Sequence, residues 1–159
     1  KAQFPFVDVV NCLFEDYEPV KRFSNIVLGH VLEHVSDPVS ILQLAKSWLT
    51  PDGIILAAVP NSRSIHRQAA VIMKLQSSEE TMSDLDYHHG HRRMYNPESF
   101  RNDFIKAGLQ VLNYGGYWLK PVSNKQLHDS WSKEMLLASM KLGERYPDIA
   151  AEIYVIASH

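Results

Sequence analysis

Residues 29–34, GHVLEH, concentrate side chains that can perform chemistry. They contain His30-x-x-Glu33-His34, the spacing of one class of zinc hydrolase motif. On a helix, His30 and His34 would share a face and could both reach one metal ion. At the end of a buried strand, the same side chains would instead line the edge at which α/β sheets bind their ligands. The neighbouring elements decide between these two interpretations.

The residues around this stretch predict a strand, a helix and a second strand. Residues 23–29 have three consecutive aliphatic residues at their centre, which is typical of a strand buried in a parallel sheet. Residues 36–53 have the boundaries of a helix, with Asp37 and Pro38 at the start and a glycine at the end. A second buried strand is predicted over 53–60. A strand–helix–strand crossover of this length predicts a parallel pair.

This arrangement bears on the metal interpretation. His30 follows the strand directly and a new helix begins at Asp37-Pro38, so at most one loose turn fits between them. Two histidines at i and i+4 need a continuous helix to bind one zinc ion, and the zinc hydrolase interpretation is therefore weak. Three alternatives stay open. They are a metal held in the turn by His30, Glu33 and His34, a capping role at the next helix, and a ligand-binding role at the strand's carboxyl end.

The rest of the chain predicts an α/β fold with one unusual segment. Residues 61–95 are polar and rich in histidine, which is typical of a lid or substrate loop over a site. In the strand predicted over 109–119, Gly115 and Gly116 indicate a bulge or a close backbone approach. The other periodic segments predict strands at 6–14 and 152–159 and helices at 96–108 and 132–145.

Length and composition narrow the class of protein. The chain of 159 residues is long enough for one domain with a buried core, and its 45% hydrophobic and 21% charged residues are ordinary for a globular protein. A net charge of −2 gives no electrostatic reason to expect a nucleic-acid partner. No apolar run reaches the roughly 20 residues of a membrane span. With Cys12 as its single cysteine and no visible secretory signal, the chain is predicted to be cytoplasmic.

Several short motifs follow one another between about Phe6 and Trp118. An apolar strand is followed by Leu32-Glu33-His34, then by Asp37-Pro38, an amphipathic helix, LTPDG and a strand that ends in VPN. GHRRMYNPESFRNDFIKAGLQV then leads into a further helix and strand. In this combination the chain resembles class I S-adenosylmethionine-dependent methyltransferases. The resemblance implies a Rossmann-like sheet, mostly parallel with an antiparallel last strand at its edge, and S-adenosylmethionine as the cofactor.

The resemblance also implies roles for individual residues. CLFED matches the strand end at which the family holds adenine, and Gly29 and His30 match the place that meets the methionine part of the cofactor. A hydroxyl acceptor must lose a proton, for which histidine is the natural base. The expected catalytic residues are His34, His30 and His91. The expected cofactor-binding residues are Leu13, Phe14, Glu15, Gly29 and His30, and the expected substrate-binding residues are Glu33, Asn61, His88, His89, Arg92 and Tyr95. No residue is assigned to a metal.

One family feature is missing from this sequence. Class I methyltransferases begin with a strand that runs into a Gly-rich turn, and no such turn occurs among the 159 residues. The expected fold is a single, N-terminally incomplete methyltransferase-like domain over 1–159 that lacks the first two strands. Such a chain, which begins at Lys1, is expected to be part of a longer enzyme, a short relative whose homodimer completes the sheet, or a non-catalytic module.

The resulting prediction is S-adenosylmethionine-dependent O-methylation of a small-molecule acceptor, with no nucleic-acid or membrane partner. A non-catalytic binding or dimerisation module is the alternative. A metal-binding hydrolase built on His30, Glu33 and His34 is the lesser alternative. Because the Gly-rich turn is missing, the sequence leaves open whether this chain is itself an enzyme.

Overall fold

The computed structural model describes residues 6–122, 126–127 and 130–159. Over these residues, four strands form one sheet: β1 (Phe23–Gly29), β2 (Leu49–Pro60), β3 (Gln110–Tyr117) and β4 (Glu152–Ser158). Their order across the sheet is β1-β2-β4-β3. β1 and β2 are parallel, whereas β4 is antiparallel to both of its neighbours, so β1, β2 and β3 point the same way. The predicted mostly parallel sheet with an antiparallel last strand is confirmed.

The position of the last strand differs from the prediction. β4 bonds to β2 along one side and to β3 along the other, so it lies inside the sheet and not at its edge. Its Ile153, Val155 and Ala157 are completely buried. A strand with so apolar a face is stabilised more when neighbours on both sides help to cover it. β1 and β3 are the edges of the sheet in the described part of the chain.

The crossover helix α1 (Pro38–Ser47) lies between β1 and β2 in the chain. Asp37 accepts a hydrogen bond from the backbone N–H of Ser40 at 3.1 Å and so caps the first turn. Ile41, Leu42 and Ala45 are buried, at the spacing of a helix with one apolar face. The predicted crossover is therefore present, although β2 already begins at Leu49 and not at residue 53.

The histidine-rich segment 61–95 contains α2 (Ile65–Ile72) and α3 (Asp84–His88). Its two ends lie side by side, because the N–H of Ser62 donates to the carbonyl of Tyr95 at 2.7 Å. The segment is thus a long excursion from the end of β2 that returns to its own starting point. That it acts as a lid remains a prediction.

After this segment come α4 (Pro97–Lys106), β3 and α5 (Lys133–Arg145). Phe100 and Phe104 of α4 are completely buried, and their rings meet edge to face at 5.4 Å. The predicted close backbone approach in β3 is confirmed at Gly116, where an added Cβ would lie 2.8 Å from the Cα of Pro147, and a Cβ added to Gly115 would overlap the ring of Tyr154. The irregular register of β3 lies earlier in the strand, between residues 111 and 113.

Residues 6–14 do not form the predicted strand. The chain is irregular up to Leu13, and Phe14–Asp16 then form a short 3-10 helix. A strand needs a neighbour for its backbone hydrogen bonds, and within the described ranges no strand lies beside this segment. Its apolar side chains, such as Val9 and Val10, accordingly lie exposed.

Candidate functional site

The turn after β1 begins with a backbone conformation that is uncommon for a residue other than glycine. His30 has a φ of 53°, in the left-handed region, where a non-glycine residue costs about 1–3 kcal/mol. Its N–H donates to the carbonyl of Ala58 at 2.9 Å and continues the pairing of β1 with β2. The positive φ then turns the chain away from the sheet, and the fully buried Leu32 anchors the turn. This geometry fixes Glu33 and His34 beside the carboxyl end of β1.

The same turn decides the zinc hydrolase interpretation. Residues 30–36 form turns and bends and no helix, and the N–H of His34 donates to the carbonyl of Val31 at 3.0 Å. His30 and His34 therefore do not share a helix face. The helical zinc motif considered for His30-x-x-Glu33-His34 is wrong for this chain, because β1 and the cap of α1 leave too few residues for a helix.

Glu33 is the centre of a cluster of ionisable side chains. Its side chain is 2% exposed, and its Oε1 lies 3.2 Å from Nδ1 of His30 and 3.8 Å from Nε2 of His34. Its Oε2 is buried and has no hydrogen-bond partner among the described residues. A buried carboxylate needs partners, because the cost of removing it from water is otherwise large. Glu33 thus orients two imidazoles and keeps one oxygen available.

His30 also faces a second buried carboxylate. Its Nε2 lies 3.7 Å from Oε2 of Glu152, the first residue of β4. Burial raises the pKa of Glu152 to about 7, the charge of Glu33 adds to this, and His30 and Lys120 act in the opposite direction. The hydrogen bond to Glu33 raises the pKa of His30, and the charges of both carboxylates add to this effect against the cost of burial. Glu33, His30 and Glu152 therefore form a coupled chain of charges.

His91 reaches the cluster from the histidine-rich segment. The N–H of Arg92 donates to the carbonyl of Glu33 at 2.8 Å and ties this segment to the turn. The rings of His34 and His91 meet edge to face at 4.8 Å, and Nδ1 of His91 lies 3.5 Å from Oδ1 of Asp86. Burial lowers the pKa of His91, although both nearby carboxylates oppose this. The structure thus brings together the three histidines that were expected to be catalytic.

A metal could be bound by a different set of residues than the sequence suggested. Glu33, His34 and His91 each offer one ligand atom, and these atoms lie within 4.8 Å of one another. Carboxylate and imidazole are ligands of several divalent ions. His91 takes the place expected for His30, because both ring nitrogens of His30 face carboxylates.

A cavity of about 630 Å³ lies next to the cluster, beyond the end of β2. Burial lowers the pKa of His66 to about 4, with the charges of Lys120 and Arg67 adding to the effect. Burial also lowers the pKa of Lys120, whose Nζ lies 4.6 Å from the centre of the Trp118 ring. The lining combines cations, carboxylates and an amide, which suits a polar small molecule. Its polar lining residues include Asn61, His66, Arg67, Asp86, Lys120 and Glu152.

The residues expected to bind substrate lie in different places. His89 and Asn61 line the cavity, but the side-chain amide of Asn61 donates to two backbone carbonyls and accepts from the N–H of Arg63. Tyr95 is a core residue, and its hydroxyl donates to Asp103. His88 and Arg92 are exposed and do not line the cavity.

The residues expected to bind the cofactor flank open space. Leu13 and Phe14 line a second cavity of about 380 Å³ together with Tyr17 and Trp48, whose rings meet edge to face. Glu15 lies in the 3-10 helix that begins at Phe14. A Cβ added to Gly29 would have no neighbour within 4 Å. An aromatic wall and a backbone open to close approach fit an adenine-containing group of extended shape.

Comparison with known proteins identifies the family. Residues 5–114 match the family model described as a methyltransferase domain. The chain belongs to this family. The predicted family, S-adenosylmethionine-dependent methyltransferases, and its cofactor are confirmed.

Curated relatives are similar over about half of their length. A ubiquinone biosynthesis O-methyltransferase from Actinobacillus pleuropneumoniae is 30% identical over 106 residues, which are 66% of this chain and 44% of that protein. One from Colwellia psychrerythraea is 26% identical over 121 residues, or 76% of this chain and 48% of that protein. The chain therefore spans about half the length of these relatives.

Solved structures show the same fold at low identity. An S-adenosylmethionine-dependent methyltransferase from Thermotoga maritima superimposes with a TM-score of 0.59 at 15% identity, over 89% of this chain and 59% of that one. One from Mesorhizobium loti has a TM-score of 0.56 at 11% identity, over 93% of this chain and 67% of that one. In the described part of the methyltransferase chain, each helix is too short or too polar to cross a membrane.

Several polar residues of the site were missed by sequence reasoning, among them Glu152, His66 and Lys120. Glu152 is the one acidic residue in an otherwise apolar last strand, EIYVIAS, and that contrast was a usable signal. His66 lies in the histidine-rich segment 61–95, from which other histidines were chosen, and Lys120 lies in a stretch without any distinguishing pattern. Nothing in their local sequence indicates that they meet Glu152 in one cavity of the methyltransferase.

Proposed function

We propose that this protein transfers a methyl group from S-adenosylmethionine to a hydroxyl oxygen of a small-molecule acceptor. One observation carries the proposal: ionisable side chains cluster beside a cavity of about 630 Å³ at the carboxyl ends of β1 and β2. Open α/β sheets bind their ligands at this edge, and the volume suits a small molecule. The relatives named O-methyltransferases support oxygen as the methylated atom.

The chemistry asks the protein to position the acceptor and to remove its proton. The bound cofactor supplies an activated sulfonium methyl, so little further activation is needed. His30, His34 and His91 surround Glu33, and imidazoles change charge near neutral pH. We assign the handling of the acceptor's proton to this cluster and its neighbouring carboxylates.

The acceptor is assigned to the cavity. His89 and Asn61 line it, and the segment 61–95 supplies its outer wall, which supports the predicted lid. His88 and Arg92 lie on the exposed side of that segment. In this proposal His88, Arg92 and Tyr95 contribute least to acceptor binding.

The cofactor is assigned to the other side of the turn. In this proposal Phe14 stacks on the adenine, with Leu13 and Glu15 beside it, and Gly29 and His30 meet the methionine part. The open space in front of Gly29 supports this assignment. So does the cavity that Phe14 lines.

The first test measures cofactor binding by the 159-residue chain. Calorimetric titration with S-adenosylhomocysteine gives the affinity, and the mass in solution is determined alongside. Phe14→Ala should weaken binding by about 5- to 150-fold, since stacking of an aromatic side chain on a base contributes about 1–3 kcal/mol. Tyr146→Ala removes an exposed ring that does not line the cavity beside Phe14 and should leave the affinity unchanged.

The second test measures transfer of a labelled methyl group to a panel of phenols, alcohols and amines. Label on oxygen supports the proposal, and label on amines alone refutes O-methylation. Binding without transfer to any acceptor would favour the non-catalytic module. Binding only by a dimer would support the predicted homodimer that completes the sheet, and no binding in any assembly would remove the cofactor role from this chain.

A further inference from the structure

Glu152 is the member of the ionisable cluster that reaches the acceptor cavity. It lines the cavity, and its side chain is 15% exposed. Its Oε2 has no hydrogen-bond partner among the described residues, since the 3.7 Å to Nε2 of His30 is too long for a hydrogen bond. A buried carboxylate oxygen without a donor is suited to accept one from a ligand.

The histidines of the cluster are directed elsewhere. His30 places its ring nitrogens toward Glu33 and Glu152. Nε2 of His34 faces Glu33, and Nδ1 of His91 faces a carboxylate on α3. None of the three lines the cavity. Their geometry suits the support of carboxylates better than direct contact with an acceptor.

Two other ionisable groups of the cavity, Asp86 and His66, are poorer candidates for a base. Asp86 already accepts from the N–H and the hydroxyl of Ser83, each at 2.8 Å. Its Oδ2 also lies 3.7 Å from Nη1 of Arg67. The low pKa of His66, about 4, makes its imidazole a weak proton acceptor. Glu152 remains as the buried base with a lone pair available.

We propose that Glu152 is the catalytic base, which accepts the proton of the acceptor hydroxyl, and that His30 is its positioning residue. The inference rests on the proposed O-methylation. The O–H bond of the acceptor breaks and its proton goes to the Glu152 carboxylate. The acceptor oxygen forms a bond to the methyl carbon, and the carbon–sulfur bond breaks with its electron pair going to sulfur. The Glu152 carboxyl group then loses its proton to water, which restores the base.

The surroundings of Glu152 match this role. The charged groups near it are His30 in the turn after β1, Lys120 after β3, and Glu33. Tyr117 of β3 pairs with it in the sheet. Burial raises the pKa of Glu152 to about 7, and burial together with the charges of Glu152 and Glu33 raises that of Tyr117 to about 12. A base is most effective when its pKa lies near the working pH.

The test compares Glu152→Gln with the unchanged chain in the methyl-transfer assay. General-base catalysis contributes about 100- to 10,000-fold, so kcat should fall by at least about 100-fold with KM nearly unchanged. The acid limb of the pH–rate profile, expected near pH 7 from the pKa of Glu152, should disappear. Glu152→Asp should retain the limb at a lower rate. Circular dichroism confirms that each variant is folded.

His30→Asn separates positioning from general structural damage. Asparagine tolerates the left-handed φ at this position but carries no positive charge. Since the charge of His30 lowers the pKa of Glu152, its loss should move the acid limb to higher pH. A variant with a lower rate and an unmoved limb would overturn the positioning role.

The outcomes distinguish this inference from the proposed function. If the unchanged chain methylates and Glu152→Gln keeps its rate or its acid limb, Glu152 is not the base and the proposed function stands. If no acceptor is methylated, the proposed function fails. Proton acceptance by Glu152 is then tested by binding 4-nitrophenol to the protein, since the absorbance of this phenol reports its ionisation. Ionisation on binding that is lost in Glu152→Gln would support Glu152 as proton acceptor. Equal ionisation in both chains, or no binding, would overturn it.

Discussion

Replacing Glu152 by glutamine should stabilise this protein at alkaline pH. The folded carboxyl has a pKa of about 7 against an ordinary value of 4.5. At pH values between 4.5 and about 7, the folded state holds a proton that the unfolded state has lost. The free energy of unfolding therefore falls as pH rises through this range. At about 1.4 kcal/mol per pKa unit, the whole range corresponds to about 3 kcal/mol. Glutamine has the same shape and no charge, and therefore removes this cost.

Urea unfolding at pH 5 and at pH 8 measures the effect. At pH 5 the folded carboxyl is protonated, and the variant should differ little from the unchanged chain. At pH 8 the variant should be more stable than the unchanged chain, so that the advantage of Glu152→Gln grows by about 2–3 kcal/mol between the two pH values. Glu144→Gln, at an exposed position on α5, serves as the control and should show no such growth.

A result that refutes the reasoning is equally definite. If Glu152→Gln and the unchanged chain lose or gain stability in parallel from pH 5 to pH 8, the carboxyl is not held in the protonated form by burial. If the variant is less stable at pH 8, the attraction of Glu152 to His30 and Lys120 outweighs the cost of burial. In both cases the carboxyl would be a weaker base than its burial implies.

Three further predictions follow from the contacts. Gly115→Ala should cost about 2–3 kcal/mol in urea unfolding, because the new methyl group overlaps the ring of Tyr154; an unchanged midpoint would show that this ring moves freely. Asn61→Ala should cost about 2–4 kcal/mol in the same assay, since it leaves buried backbone groups unpaired; a loss below about 1 kcal/mol would contradict this. The folded pKa of His66, about 4, lies below the ordinary 6.5, so the protein should lose stability as pH falls from 6.5 to 4. His66→Gln should reduce that loss in thermal unfolding at pH 4.5 and 7, and equal losses in both chains would refute the assignment.

Local signals predicted most of the elements correctly. Asp37 and Pro38 begin α1, and Asn96 and Pro97 begin α4 as the sequence indicated, because capping depends on residues a few positions apart. The apolar runs predicted β1, β2 and β4, because the signal for a buried strand also lies in consecutive residues. The strand expected over 6–14 failed, because its formation depends on a neighbouring strand and not on its own composition.

The candidate site was predictable only in part. The turn with His30, Glu33 and His34 follows from its place at the end of a buried strand, and the structure brings His91 to it. Tyr95 was expected to touch substrate and lies in the core instead. Its environment is set by α4, which the local sequence around it does not describe.

The sequence by itself determined the family and the order of the elements, since both are written in short motifs and in the periodicity of apolar residues. Only the tertiary structure decided which ionisable groups meet. Glu152 begins β4 and His30 directly follows β1, and they face each other because β4 inserts beside β2. The raised pKa of Glu152 and the role proposed for it depend on burial and on neighbouring charges, and both are properties of position in the fold.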